Sequence, residues 1–325
     1  MLLNEGFMKI VVLDGYTLNP GDNPWTPVEQ LGQLTVYDRT PIAEIVARIG
    51  DADIVLTNKT PLTAETINQA PRLKFISVLA TGYNVVDVAA ARARDIPVSN
   101  VPVYGTDAVA QYVLAVLLFF IHRPDEHDRA VRAGEWKRRE DFSFWLRPLQ
   151  ELNGKTLGIV GFGRIGRRTA EMAQALGMNI LAHDVQRSAP PSYREFEWAD
   201  IETLFQRSDV ISLHCPQTAD NREFVNARLL ATMKPSAILI NASRGGLVNE
   251  RDLTDALNSG RLAGACLDVV SVEPIASDNP LLAAKNCIIT PHLAWAAVEA
   301  RRRLMHTTAE NIAAFQAGAP IHLVN

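Results

Sequence analysis

Short runs rich in β-branched and aliphatic residues recur in the first third of the chain, at 8–13 (MKIVVL), 53–57 (DIVLT), 75–78 and 97–99. The stretches between them carry apolar residues at helical spacing, for example Ile42, Ile45, Val46 and Ile49. Apolar positions three and four residues apart line one face of a helix, whereas short unbroken β-branched runs suit strands buried on both faces. A second alternation of the same kind starts at 156–160 and continues through 179–182, 210–213, 237–241 and 287–290. Strands separated by crossover helices form parallel sheets covered on both sides. The pattern therefore predicts an α/β protein with two doubly wound parallel-sheet domains in tandem.

Between the two alternations, residues 107–121 form a helix candidate whose apolar residues nearly encircle it, so it is expected to be buried between domains. Pro102 before it, and the dipeptides Arg147-Pro148 and Asn153-Gly154 after it, break the chain ahead of the second alternation. Residues 298–316 read as helical again, and the most economical place for them is against the first alternation. The expected division is a discontinuous domain of residues 1–102 plus 293–325, and a second domain of residues 103–292. Residues 1–7 precede a second methionine, Met8, that opens a strand-like run, and are expected to be dispensable.

A chain of 325 residues that is 47% hydrophobic can bury two sizeable cores, which excludes a disordered protein. The net charge of −4 and the scattered basic residues, apart from clusters at 137–139 and 301–303, offer no face for nucleic acid. Cys215, Cys266 and Cys287 are far apart and form no CxxC pair, so neither a disulfide framework nor a metal site is expected. A reducing, cytoplasmic location fits. The longest apolar run, 112–121, is half of the ~20 residues that a membrane span needs, so no membrane partner is expected.

The most informative local motif is Gly161-Phe-Gly163-Arg164-Ile165-Gly166, which follows a strand and opens a helix. Gly161 permits the tight turn, Gly163 lets the backbone approach a pyrophosphate, and Gly166 lets helix and strand pack closely. The helix N-terminus adds amide donors and a favourable dipole. Asp184 ends the next strand-like run, where a carboxylate accepts hydrogen bonds from a ribose diol and repels a 2′-phosphate. NAD is therefore expected, with NADH preferred and NADP not excluded because Arg187 follows closely.

Three more segments place a polar residue just beyond a strand-like run: Asn241-Ala-Ser-Arg244-Gly-Gly246, Leu267-Asp-Val-Val-Ser-Val-Glu273-Pro274, and Thr290-Pro-His292-Leu-Ala-Trp295. Taken with the glycine motif, these segments resemble the D-isomer-specific 2-hydroxyacid dehydrogenase family over nearly the whole chain. The resemblance implies reduction of a 2-keto acid, which needs a cation for the carboxylate, a proton donor for the carbonyl oxygen and a hydride aligned with the carbonyl carbon. Arg244 would suit the first role and His292 the second, while Glu273 against the imidazole would fix its tautomer and favour its protonated form. The resemblance also takes in residues 80–87 (ATGYNVVD), Gly134-Glu-Trp136 and residues 151–158 (ELNGKTLG). Within the family the chain is most similar to the glycerate dehydrogenase or hydroxypyruvate reductase type, with Trp295 and the closing residues supporting this.

That resemblance implies a flavodoxin-like substrate domain, a Rossmann NAD-binding domain and a homodimer formed through the latter. It implies catalysis by Arg244, Glu273 and His292. It also implies cofactor contacts from Arg164, Ile165, Cys215, Pro216, Thr218, Ala242 and Asp268, the last two near the nicotinamide. Backbone groups of Thr81 and Gly82, with Arg244 and Trp295, would bind the substrate, and Leu79 and Tyr83 join Trp295 as candidates for selecting its side chain. The expected reaction is hydride transfer between NAD(H) and a small 2-keto or D-2-hydroxy acid, hydroxypyruvate or glyoxylate first. Alternatives of the same fold act on D-lactate, phosphoglycerate or phosphite. A formate enzyme would carry Gln-His in place of Pro291-His292. From another class, an NAD-sensing, corepressor-like scaffold would share the fold without turnover.

Overall fold

The computed structural model describes residues 7–187 and 189–325, so the expectation for residues 1–7 lies, Phe7 apart, outside it. The chain folds as two units, one comprising Met1–Gly105 with Ala296–Asn325 and the other Thr106–Trp295. Both boundaries fall slightly later than those read from the sequence, which leaves Trp295 in the second unit.

The first unit contains a five-stranded parallel sheet of β1 (Lys9–Val12), β2 (Gln33–Val36), β3 (Ile54–Thr57), β4 (Phe75–Val78) and β5 (Val98–Ser99), in the order β2-β1-β3-β4-β5. This is the flavodoxin-like order, in which β1 lies inside and the chain reverses direction next to it. The central strands β3 and β4 are buried throughout, matching their unbroken apolar runs. The helix Val298–Gln316 does return to this unit, as its sequence position suggested. Phe315 stacks on Phe75 with ring centroids 4.6 Å apart, and buried Arg301 forms two charge-assisted bonds to Asp22, at 2.5 and 2.7 Å.

The second unit contains a seven-stranded parallel sheet: β6 (Thr156–Val160), β7 (Asn179–His183), β8 (Phe196–Trp198), β9 (Val210–Leu213), β10 (Ile238–Asn241), β11 (Gly264–Leu267) and β12 (Cys287–Ile289). Their order is β12-β11-β10-β9-β6-β7-β8, so the winding reverses between β6 and β9. An open α/β sheet binds its ligand in the crevice beyond the carboxyl ends of the strands at such a reversal. The helix Thr106–His122 belongs to this unit, burying Val109, Val113, Val116, Leu117 and Phe120. It packs against the helix Arg164–Ala175 and against β11. Its remaining face is less covered than the encircling apolar pattern implied, since Gln111, Ala115 and Phe119 are exposed. Among the described residues, no single helix is long and apolar enough to cross a membrane.

Candidate active site

β6 ends in the glycine turn, and the turn has the shape a dinucleotide requires. Gly161 takes a φ of +93°, and a Cβ there would lie 2.4 Å from the backbone nitrogen of Cys215 at the end of β9. A Cβ on Gly166 would lie 2.2 Å from the Gly161 carbonyl oxygen, so only glycine lets the helix start this close to the strand. Beyond its own chain neighbours, no described atom lies within 4 Å of where a Cβ of Gly163 would be, which leaves space for a phosphate in front of it. Gly163 is the N-cap of the helix Arg164–Ala175 and brings no side chain over its first amides. Phe162, within the turn, is buried against Phe196 and Trp198 of the edge strand β8, at 5.1 and 5.4 Å between ring centroids.

Asp184 follows β7 beside this turn. One of its carboxylate oxygens accepts the Phe162 N–H at 2.6 Å and the other the Gln186 N–H at 3.1 Å. An ionised carboxylate has about four acceptor positions, so two remain for a ribose diol. Arg187 donates to the Ala199 carbonyl at 3.3 Å and lies 6.0 Å over the Trp198 ring. On the far side of the turn, Ser243 Oγ donates to the Cys215 carbonyl, joining the ends of β9 and β10. Asn221 folds the loop between them by accepting from Thr218 N–H and donating to the Pro216 carbonyl, at 2.7 and 2.8 Å. Neither Ser243 nor Asn221 was singled out in the sequence. Burial pushes the Cys215 thiol up to about 11, so it carries little thiolate near neutral pH. Ala242 packs at the rim of the adjoining core.

The ends of β10, β11 and β12 deliver Arg244, Glu273 and His292 to the same edge of the sheet. The Arg244 guanidinium is exposed and donates to the Ser243 carbonyl at 2.8 Å. A Cβ on Gly245 would lie 1.9 Å from the Val270 carbonyl carbon, so the Arg244 loop rests directly on the backbone that leads to Glu273. His292 Nδ1 and Glu273 Oε2 are 2.7 Å apart. A carboxylate accepts only, so Nδ1 carries the hydrogen and Nε2 is left to give or take a proton. Both side chains remain partly accessible, at 27% for His292 and 35% for Glu273.

His292 has a φ of +53°, a conformation that costs a non-glycine residue about 1–2 kcal/mol. The turn is held by Asp268, whose backbone carbonyl accepts the His292 N–H at 2.7 Å. The Asp268 carboxylate, 1% exposed, accepts from Thr290 Oγ1 and Leu293 N–H on one oxygen and from Ala294 N–H on the other, at 2.7 to 2.8 Å. Burial raises its pKa, and these bonds work in the opposite direction.

Thr81 and Gly82 lie in the first unit, beyond the carboxyl end of β4. Thr81 Oγ1 donates to the Val101 carbonyl, and the Thr81 carbonyl accepts from Asn100 Nδ2. Tyr83 is 41% exposed there, whereas Leu79 is wholly buried. Leu79 is thus a core residue and does not line an open pocket: it ends the β4 run, where alternate side chains point into the sheet's cover. Trp295 is partly exposed at the end of the second unit. Among the described residues, no three His, Cys, Asp or Glu side chains gather as a metal site.

Residues 114–294 match the family model for the D-isomer specific 2-hydroxyacid dehydrogenase, NAD binding domain. The chain is 50% identical to the hydroxypyruvate reductase of Blautia hydrogenotrophica over 98% of its length and 100% of that protein's. It is 41% identical to the glycerate dehydrogenase of Methylorubrum extorquens over 86% of its length and 88% of that protein's. Among solved structures it resembles the NADPH-dependent glyoxylate/hydroxypyruvate reductase of Sinorhizobium meliloti in complex with NADP and malonate. That likeness has a TM-score of 0.83 at 28% identity, covering 98% of this chain and 97% of that one. With the glycine turn, the reversal of the sheet and the match over most of the chain in agreement, the protein belongs to the D-isomer-specific 2-hydroxyacid dehydrogenase family of NAD-binding oxidoreductases.

Proposed function

We propose that the protein reduces a small 2-keto acid, hydroxypyruvate or glyoxylate, to the D-2-hydroxy acid, with NADH as the preferred reductant. The observation that carries this reading is the 2.7 Å pair of His292 and Glu273 on the strand edge that also bears Arg244. The two curated relatives, a hydroxypyruvate reductase and a glycerate dehydrogenase, support the substrate class. NADH, held at the glycine turn and Asp184, would supply the hydride for the carbonyl carbon. His292 gives its Nε2 proton to the carbonyl oxygen as negative charge develops there. Glu273 holds the imidazole in the tautomer that places this proton on the open side of the ring, and stabilises the cation before transfer. Arg244 swings from the Ser243 carbonyl to clamp the substrate carboxylate and polarise the carbonyl. Trp295 limits the size of the side chain at C3. In the oxidative direction, neutral His292 takes the hydroxyl proton.

The cofactor side of the proposal rests on Asp184, whose two spare acceptor positions suit an unmodified ribose and whose charge opposes a 2′-phosphate. Arg164, Ile165, Cys215, Pro216, Thr218 and Ala242 would complete the lining of the crevice, with buried Asp268 behind it. We further propose a homodimer in a cytoplasmic setting. Trp136, Phe142, Trp145, Leu146 and Leu149 are all exposed on one segment of the second unit, Phe142 at 90%, and a second copy would cover them. Light scattering of the purified protein that gave a monomer at micromolar concentration would end the dimer proposal.

The reaction is tested by NADH consumption with hydroxypyruvate, glyoxylate, pyruvate and a branched 2-keto acid, each repeated with NADPH. Turnover of hydroxypyruvate or glyoxylate at the highest kcat/KM is the expected result. Binding of NADH without turnover of any 2-keto acid would overturn it.

A further inference from the structure

Behind the His292 turn lies a chain of hydroxyl groups that the reaction itself does not use. Tyr112, on the helix Thr106–His122, is hydrogen-bonded through its hydroxyl to Thr290 Oγ1, and Thr290 Oγ1 is 2.7 Å from Asp268 Oδ1. Thr290 Oγ1 donates to the Asp268 carboxylate, which accepts from two backbone amides as well. With its one hydrogen committed, Thr290 Oγ1 is an acceptor toward Tyr112, and Tyr112 donates. Burial pushes the phenol up to about 12, so it keeps that hydrogen near neutral pH.

The other end of the chain is the catalytic turn. Three consecutive amides, those of His292, Leu293 and Ala294, all bond to Asp268, the first to its backbone carbonyl and the other two to its carboxylate. A left-handed residue flanked by amides that converge on one side chain has its backbone fixed from both sides, and its imidazole is aimed accordingly. Removing a donor from a buried carboxylate leaves an acceptor unsatisfied where water has little access. The carboxylate then shifts, and the amides it holds shift with it.

We infer that Tyr112 is a positioning residue for the reaction: by donating to Thr290 it orients the Thr290 hydroxyl onto Asp268, and Asp268 holds the turn that aims His292. The inference rests on the reading of His292 as the proton donor. It ties a helix packed on β11 and on the nucleotide-turn helix to the geometry of proton transfer, through residues that touch neither substrate nor the imidazole itself.

The test uses Tyr112→Phe, Thr290→Val and Thr290→Ser in the full-length protein. A displacement on the order of 1 Å in a reacting group costs up to ~100-fold in rate. On that scale Tyr112→Phe is expected to lower kcat for the keto acid by roughly tenfold and Thr290→Val by up to about 100-fold, with NADH dissociation constants within about twofold of the parent. Thr290→Ser, which keeps the hydroxyl, restores most of the rate lost in Thr290→Val. A backbone readout accompanies the kinetics: amide hydrogen exchange in the peptide spanning residues 290–294 becomes faster in Tyr112→Phe and Thr290→Val but not in Thr290→Ser. If the parent turns over no 2-keto acid while exchange responds as stated, the proposed reaction fails and the clamp stands. Unchanged kcat and exchange in Tyr112→Phe would overturn the inference, as would a loss confined to NADH affinity, which would assign the hydroxyl chain to the cofactor. Should Tyr112→Phe not fold, the contrast between Thr290→Val and Thr290→Ser decides in the same terms.

Discussion

Glu273 Oε2 lies 2.7 Å from His292 Nδ1, although the two residues come from the loops after different strands, β11 and β12. The pair divides the imidazole into a held nitrogen and a working one. If Nε2 moves the proton, His292→Ala is expected to lower kcat by ~10²–10⁴-fold while leaving the NADH dissociation constant nearly unchanged. Glu273→Gln keeps an acceptor for Nδ1–H but removes the charge, so its loss should be smaller. Steady-state rates with the best 2-keto acid, beside fluorescence titration of NADH, check both. An equal loss of NADH binding in His292→Ala would show that the residue serves the cofactor.

Asp184 supports the glycine turn besides its proposed ribose contact, because one of its oxygens accepts the Phe162 N–H at 2.6 Å. Asp184→Ser removes the charge that opposes a 2′-phosphate and keeps a hydroxyl near the amide. The ratio of kcat/KM for NADH to that for NADPH should fall by roughly tenfold or more, which corresponds to about 1.4 kcal/mol of discrimination. Arg187, three positions along and bonded to the Ala199 carbonyl, is the cation that a 2′-phosphate would have to draw across. A ratio unchanged from the parent would mean that Asp184 only shapes the turn.

The parts of this site that could be read from the sequence are those in which function is local. Gly161, Gly163 and Gly166 act within one turn, and Asp184, Arg244 and His292 each follow a strand whose β-branched residues announce it. Strands without that signal were missed. β2 (QLTV) is an edge strand with three of its four residues exposed, and β8 (FEW) is a three-residue edge. Nor could periodicity show that Leu79 is buried to completion or that Tyr112 reaches Thr290, a contact between residues 178 positions apart. Such pairings arise from the order of strands in the sheet, which only the folded chain displays.

The Arg244 loop is set on the Glu273 loop by the absence of a side chain at Gly245. A methyl group there would meet the Val270 carbonyl carbon at 1.9 Å, and backbone cannot yield as a flexible side chain does. Gly245→Ala is therefore expected to cost about 1–3 kcal/mol in unfolding free energy. It should also raise KM for the keto acid, because Arg244 is pushed away from the Glu273–His292 pair. Urea unfolding and steady-state kinetics read the two effects separately. Parent-like values for both would show that the loops are not held in this contact.

His214, at the end of β9, has its Nε2 2.9 Å from Ser212 Oγ, and burial pushes its pKa down to about 4. An unfolded chain gives histidine a pKa of about 6.5, so between those values the unfolded state binds the extra proton. The contribution of neutral His214 to stability is therefore complete above about pH 6.5 and is lost as the pH falls toward 4. Asp209, whose pKa burial raises but the Lys234 ammonium and the Thr156 amide together bring below 3.8, acts at lower pH. The urea midpoint of the NADH-free protein should accordingly fall between about pH 7 and pH 5, and fall less steeply in His214→Asn, whatever that variant's absolute stability. Equal slopes in parent and variant would show that the imidazole is solvated in the folded protein and gains its proton there without penalty.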